Sequence, residues 1–342
     1  MRFHRVRGAK ITLAAEKANS PPKIFGVASY FRRFKFNRRM TETIDLVALW
    51  EWEFDNEFIR LLQREARQAN LRFEHVTTYD IEDFICALRS GKIRFSTLLD
   101  RAIDSNDAFA PVQEWALQNG ASVINPYGES LRAMNKSYVH YELIKVGVNV
   151  PFTVMLPSYE EMRWVSESLM REVFKLPLPF VLKPAHGGGG EGVIKNVTSH
   201  HHVHDGRKLC YWDSYLAQER VYPKYLYGWR CWFRAYWVFG DVLLTWWDDT
   251  TLIYRPFSDK DKPFVRFDEI QTMMTRIAQV AKLHFFSTEI ALTREDKLVA
   301  VDYINDQIDL RLKSKHYDGV PDQLVETIAR KIVAFAKERK RQ

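Results

Sequence analysis

The chain is poor in cysteine, in long apolar runs and, over its first forty residues, in acid. Its three cysteines, Cys86, Cys210 and Cys231, are far apart in a sequence of 342 residues. That scatter excludes a disulfide framework and a CxxC zinc site, so all three are read as free thiols. No apolar stretch approaches the roughly 20 residues a membrane helix requires, and the N-terminus lacks the apolar segment of a secretory signal. A soluble, cytoplasmic protein with no membrane partner is expected. Residues 1–40 hold eleven Lys and Arg against one acid, Glu16, while the whole chain carries +7. The rest is therefore slightly acidic, and the basic character belongs to an N-terminal arm. A footprint confined to one end argues against nucleic acid as the partner of the whole protein. Within the arm, YFRRFKFNRRM interleaves aromatics with cations, a pattern shared by single-strand binders, solvated arms, interface strands of homo-oligomers and transit peptides.

What the chain does have is 46% hydrophobic and 14% aromatic residues, enough to bury a large core in two or three subdomains. From residue 41 onward the pattern alternates. Apolar runs at 44–50, 71–76, 95–101 and 121–125 read as strands. Between them, 56–70, 81–90 and 109–120 have helical spacing, and the breakers Asn70, Gly91 and Gly120 close them. Alternation at this pace predicts a small parallel sheet with helices on its faces over residues 41–125.

Two features further on bear on chemistry. In PFVLKPAHGGGGEGV, residues 179–193, a short strand from Phe180 to Lys183 runs into consecutive glycines. Glycine lets a backbone reach positive φ and approach a ligand, and its N–H groups suit phosphate oxygens; a flexible linker has the same composition. Upstream, Asn135 is placed to cap a helix that ends at Gly147, which puts Lys136 in the first turn. A lysine there opposes the helix dipole, and a bound phosphate would make it favourable.

Five stretches in order, NPYGESLRAMNKSYVHYELIKVGVNVPFT, PFVLKPAHGGGGEGV, YLAQERV, RCWFRAYWVFGDV and STEIALTREDKLVAVDYIND, resemble the ATP-grasp superfamily over roughly residues 40–335. Within it the chain is most similar to amino-acid and peptide ligases that modify glutamate termini. The resemblance implies a mixed α/β and α+β architecture, the ATP-grasp fold preceded by a parallel α/β domain. The corresponding division is a basic arm at 1–40, an N-terminal α/β domain at 41–125, a central subdomain with the glycine loop at 126–220, and a C-terminal subdomain with the magnesium site at 221–342.

The same resemblance implies site roles. Lys136 and Lys183 would contact the α- and β-phosphates of ATP, with His186, Gly187, Gly188, Gly189 and Gly190 in the loop that closes over the triphosphate. Glu219 and Val221 would offer backbone groups to adenine. Arg230 and Arg234, four apart on one strand, would share a face and reach one cleft, where an arginine meets the transferring phosphoryl group. Trp246, Trp247, Asp248 and Asp249 line the substrate side or pack. The turn TRED makes a hairpin that brings Glu289 opposite Asp302, and Mg²⁺ wants such hard oxygens, with Mn²⁺ as a substitute. The family spacing is acid, one residue, Asn; here two residues separate Asp302 from Asn305. Either a bulge restores the geometry or Asp306, beside Asn305, is the ligand. Asp309 and Arg311 would lie near the phosphate or the acceptor.

The histidines of SHHHVHD, residues 199–205, lie too close together to form a tetrahedral site alone, and an exposed loop is expected. The C-terminal stretch from Pro321 predicts a packing helix with Leu324, Ile328 and Ile332 on one face. The implied reaction joins a carboxylate substrate, such as an amino acid or peptide, to an amine acceptor through an acyl phosphate, releasing ADP and phosphate. A kinase acting on a hydroxyl, or a silent nucleotide-binding protein, would use the same nucleotide residues.

Overall fold

The structure is a computed structural model that describes residues 41–340, so the basic arm lies outside the described residues. Strand β1 (Glu42–Trp50) buries Leu46 to Leu49 completely, as expected of a parallel strand covered on both faces. The chain continues through α1 (Asn56–Gln68), β2 (Phe73–Val76), α2 (Ile81–Arg89), β3 (Ile93–Arg101), α3 (Ala110–Gln118) and β4 (Ser122–Ile124). All pairings in this sheet are parallel and the order is β2-β1-β3-β4. The chain thus leaves β1 in one direction for β2 and returns past it to β3. Helix α1 buries Phe58, Leu62 and Ala66 at helical spacing against this sheet. Asp45, buried within β1, accepts from the Arg72 N–H at 2.7 Å and from Lys340 Nζ at 3.0 Å, tying the C-terminal helix to the sheet.

After β4, Asn125 fastens the next unit. Its Oδ1 accepts from the N–H groups of His284 and Phe285, and its Nδ2 donates to Phe285 O. Two helices follow where one was expected, α4 (Tyr127–Met134) and α5 (Lys136–Lys145), divided at Asn135, which is extended. Asn135 Oδ1 accepts the Tyr138 N–H at 2.9 Å, the anticipated cap. A second sheet is built from β5 (Thr153–Leu156), β6 (Phe180–Pro184), β7 (Ile194–Val197) and β8 (Tyr215–Gln218), antiparallel in the order β5-β8-β6-β7, with α6 (Glu167–Val173) and α7 (His200–Gly206) against it. Helix α7 corrects the expected histidine loop: Ser199 caps it by accepting the His202 N–H, and Val203 is buried in the core of this sheet. The apolar contact outweighs the polar composition of the segment. Among the described residues no three His, Cys, Asp or Glu side chains gather to hold a metal.

The third layer opens with a two-stranded hairpin, β9 (Tyr225–Leu226) and β10 (Trp229–Arg230). Then come β11 (Trp232–Val238), β12 (Asp241–Asp248), β13 (Ile253–Pro256), α8 (Lys262–Val265), α9 (Phe267–Ala281), β14 (Phe285–Leu292), β15 (Leu298–Asn305) and α10 (Asp322–Arg339). The five strands β13-β12-β11-β14-β15 form one antiparallel sheet. One face gives Phe233, Ala235, Phe286 and Ile290 to a core with α9. The other gives Trp232, Tyr236, Trp247 and Tyr254 to a core shared with α10 and the parallel sheet. In α10, Ile328 and Ile332 are fully buried and Leu324 packs at the edge. The cysteines are free, with Cys231 buried. No helix among the described residues is long and apolar enough to cross a membrane.

Candidate functional site

Strand β6 delivers Lys183 into the interior. The side chain is 7% exposed, donates to Val301 O at 3.0 Å, and lies 5.2 Å from the centre of the Tyr303 ring. Burial, aided by the charge of Lys136, pulls its ammonium down to about 8 against the opposing pull of Asp302 and Glu289. Lys136, at the N-terminus of α5, reaches the same place: its N–H donates to Ala185 O at 2.8 Å and its Nζ to Gly187 O. Two cations thus flank the start of the glycine loop.

That loop is anchored at its first residue. Asp213 accepts from the His186 N–H at 2.7 Å and pairs with His186 Nδ1 at 2.9 Å, a partner with no signal in the sequence. Beyond it Gly187, Gly189 and Gly190 have positive φ, and no atom lies within 4 Å of where a side chain would start at any of the four consecutive glycines. The loop is open to approach along its length.

Strands β11, β14 and β15 supply the acids. Arg234 stands opposite Glu289, and Glu289 opposite Asp302, so the three share one sheet face. Arg234 Nη2 meets Glu289 Oε1 at 2.7 Å, and Trp232 Nε1 donates to Glu289 Oε2 at 3.0 Å. Burial pushes the Glu289 carboxyl up, and Asp302 opposite adds to it although Arg234 resists. Burial acts on Asp302 the same way, but Lys136, Lys183 and Arg234 together hold it below the ordinary value.

The irregular spacing of Asp302 and Asn305 has a structural answer. Ser287 pairs with Asn305, Glu289 with Asp302, and Ile290 with Ala300, so β15 carries one extra residue on each side of Asp302. The first bulge puts Asn305 on the face of Glu289 and Asp302. The second leaves Val301 out of the ladder, and its carbonyl is the one Lys183 uses. Asp306 goes elsewhere: it is 6% exposed, bonded to Ser130 and close enough for Arg101 and Asp104 to feel its charge.

The other sequence-selected residues divide. Arg230 and Arg234 do not share a continuous strand, because the chain breaks at Cys231, whose N–H donates to Lys224 O. Arg230 pairs with Asp249 at 2.8 Å instead. Arg311 is held by Asp309 at 2.8 Å and Asp318 at 3.0 Å, beside Trp52 and Phe54. The Glu219 side chain accepts the Phe152 N–H at 2.8 Å and its own N–H donates to Phe152 O, which leaves its carbonyl for a ligand. Trp246 packs into the α9 core, whereas Trp247 lies on the Arg234 side, 5.1 Å from its guanidinium.

Sequence reasoning passed over the support beneath Lys183. Gln218 Nε2 donates to Tyr303 Oη at 2.9 Å, and Tyr303 Oη lies within hydrogen-bond distance of His140 Nδ1 at 2.6 Å. Burial with the nearby Lys183 pulls His140 down to about 4, which favours a neutral imidazole there. These side chains come from α5, β8 and β15, and no short motif joins them.

Neither a protein-family model nor a curated protein matches the sequence. Solved structures do resemble it. VanG D-Ala:D-Ser ligase from Enterococcus faecalis has a TM-score of 0.57 at 12% identity, over 87% of this chain and 100% of that one. An ATP-grasp RimK domain protein from Sphaerobacter thermophilus has 0.57 at 16%, over 85% and 99%. The ATP-grasp ligase PsnB, complexed with a minimal precursor, Mg and ADP, has 0.56 at 13%, over 84% and 98%.

Proposed function

The chain has the ATP-grasp fold, and from that premise we propose that it is an ATP-dependent ligase joining a carboxylate to an amine, with release of ADP and phosphate. One observation carries the reading. Two lysines, an arginine and two opposed carboxylates, drawn from α5, β6, β11, β14 and β15, gather beside an open glycine loop. Lys183 is a buried cation pressed toward neutrality, which is the state an incoming polyphosphate would relieve.

In this reading Lys136 and Lys183 bind the ATP phosphates, and the loop from His186 to Gly190 closes over them and excludes water. The Val221 N–H, which has no partner among the described residues, and the Glu219 carbonyl face adenine. A carboxylate oxygen of the substrate attacks the γ-phosphorus, and the bond to the ADP oxygen breaks. The amine then attacks the acyl carbon, the bond to the phosphate oxygen breaks, and the amine loses its proton to solvent. Arg234 stabilises the charge on the transferring group through a planar guanidinium. Arg230 and Arg311, each committed to aspartates, orient neighbouring segments.

Glu289, Asp302 and Asn305 would hold Mg²⁺. Two hard carboxylates and one amide oxygen on one face suit an ion that keeps several waters and uses substrate phosphates for the rest. When bound it would neutralise charge between the β- and γ-phosphates. The division into a parallel domain at 41–125, a central subdomain at 126–220 and a C-terminal subdomain at 221–342 belongs to the same proposal.

The test is ATP turnover with Mg²⁺ over a panel of carboxylates in the presence of hydroxylamine, with hydroxamates detected by mass spectrometry. A carboxylate-dependent hydroxamate that disappears in Lys183→Ala supports the ligase. ATP consumption with a phosphorylated hydroxyl and no hydroxamate replaces it by a kinase.

A further inference from the structure

Tyr303 is 1% exposed, borders Lys183, and has no part in the reaction described above. A buried phenol is costly unless its hydroxyl is bonded. Here Oη meets Gln218 Nε2 at 2.9 Å and His140 Nδ1 at 2.6 Å, while Thr288 Oγ1 donates to the Tyr303 carbonyl at 2.7 Å. The residue is thus held from α5, β8 and β14 at once.

What the ring does follows from the lysine beside it. An ammonium is a compact charge with three rotatable donors on a flexible stem, so its direction must come from its surroundings. Val301 O takes one proton at 3.0 Å, and the centre of the Tyr303 ring lies 5.2 Å from Nζ. An aromatic face within about 6 Å of a cation attracts it through the ring quadrupole. Among the described residues Lys183 closes no ion pair, and Asp302 and Glu289 act on it only through their charge. Both groups that fix the ammonium therefore come from one short piece of β15, on either side of Asp302. His140 extends the arrangement to the second cation, because it lies four residues after Lys136 on α5 and shares its side of that helix. One ring fixes two lysines and a carboxylate relative to one another.

We infer that Tyr303 is a positioning residue for polyphosphate: its ring, fixed through the hydroxyl, aims the Lys183 ammonium at the phosphates. Its influence on affinity should then require both phosphate and Lys183. That the phosphate belongs to ATP rests on the ligase reading; the hold of the ring on the lysine does not.

The experiment is calorimetric binding of adenosine, ADP, ATP and inorganic tripolyphosphate to the full chain and to Tyr303→Met, Tyr303→Phe, Lys183→Ala and Lys183→Ala/Tyr303→Met, each checked for folding by circular dichroism. Tyr303→Met removes the ring and should weaken ATP about ten-fold or more while moving adenosine by less than about two-fold. Tyr303→Phe keeps the ring but frees its outer end, and should fall between. Gln218 Nε2 also donates to Thr153 Oγ1 at 3.0 Å, so it is not stranded in that variant. In the Lys183→Ala background the Tyr303→Met effect on ATP should shrink to about two-fold or less. If Tyr303→Met does not fold, Tyr303→Phe decides alone, by a loss of about three-fold on ATP with adenosine unchanged. Equal losses for adenosine and ATP, or a loss undiminished without Lys183, would make Tyr303 a packing residue and overturn the inference. ATP binding insensitive to Tyr303 also overturns it and leaves the ligase standing. Binding of tripolyphosphate but not of ATP removes the ligase and puts tripolyphosphate in the place of ATP in the same comparison; binding of neither overturns both.

Discussion

Arg234 and Glu289 lie directly opposite each other on β11 and β14 and close a 2.7 Å ion pair whose side chains are 11% and 16% exposed. A pair this sheltered makes removal of one partner costly, because the other charge stays buried without compensation. Arg234→Met should therefore destabilise the chain by about 3 to 5 kcal/mol. The double variant Arg234→Met/Glu289→Met should recover most of that loss while remaining inactive. Chemical denaturation of the three proteins measures the first effect and ATP turnover the second. A double variant no more stable than the single one would show that the pair itself, with its Trp232 bond, is the stabilising element.

Lys183 carries a prediction with a sign. Its folded value, about 8, lies below the ordinary 10.5 because burial, assisted by Lys136, outweighs Asp302 and Glu289. Between those two values the unfolded chain holds a proton that the native one has released, so this group adds stability as pH rises through that window and none below it. Polyphosphate favours the ammonium and reverses the balance. Nucleotide binding should take up a proton near pH 8, and ATP affinity should weaken as pH climbs above it. Calorimetry in two buffers of different ionisation enthalpy reads the proton directly. In Lys183→Ala the uptake should vanish and turnover should drop by roughly 10² or more. Uptake undiminished in that variant would place the titrating group elsewhere.

His140 acts in the opposite window. Burial and Lys183 lower it from 6.5 to about 4, so its contribution to stability is complete above pH 6.5 and is lost as the pH falls toward 4. Asp100 opposes it. Burial raises that carboxyl from 3.8 to about 6, so the native state gains from this group as pH falls from 6. The two slopes partly cancel in the intact chain. His140→Gln should unmask the Asp100 slope, with stability that rises on acidification from pH 6 toward 4. A profile unchanged by this substitution would mean that the Tyr303 to His140 hydrogen bond does not depend on a neutral imidazole.

The parallel sheet was legible because each of its strands is a continuous apolar run bounded by breakers, and burial of Leu46 to Leu49 is what such a run implies. A hairpin was legible from the turn, but the register beside that turn pairs Leu292 with Leu298 and Ile290 with Ala300, and it is the bulge at Val301 that brings Asp302 opposite Glu289. The bulges were signalled by one misplaced asparagine, but the contact that uses one of them, Lys183 to the Val301 carbonyl, spans 118 residues of sequence. Strand periodicity carried Arg230 and Arg234 onto one strand, whereas the ladder is interrupted at Cys231 and Arg230 ends a separate short strand. Asp213 and the Tyr303 network left no trace, because single polar residues on separate elements become a set only when the sheets meet.

The glycines separate into two physical classes, and one comparison tests the difference. Gly192 has φ +71°, and a Cβ there would lie 2.9 Å from Cys210 Sγ and 3.2 Å from the Pro184 ring. Gly188 has no such backbone demand and no neighbour within 4 Å. Gly192→Ala should therefore cost about 1 to 3 kcal/mol through backbone strain and overpacking, read as a lower Tm. Gly188→Ala should leave Tm nearly unchanged, yet slow ATP turnover if the open loop has to fold down onto phosphate. An added methyl narrows the backbone conformations available for closure and occupies the space a phosphate oxygen would enter. Full turnover by Gly188→Ala would confine the loop to a linker, whereas equal Tm losses in both variants would mean that the two glycines are held by the same packing.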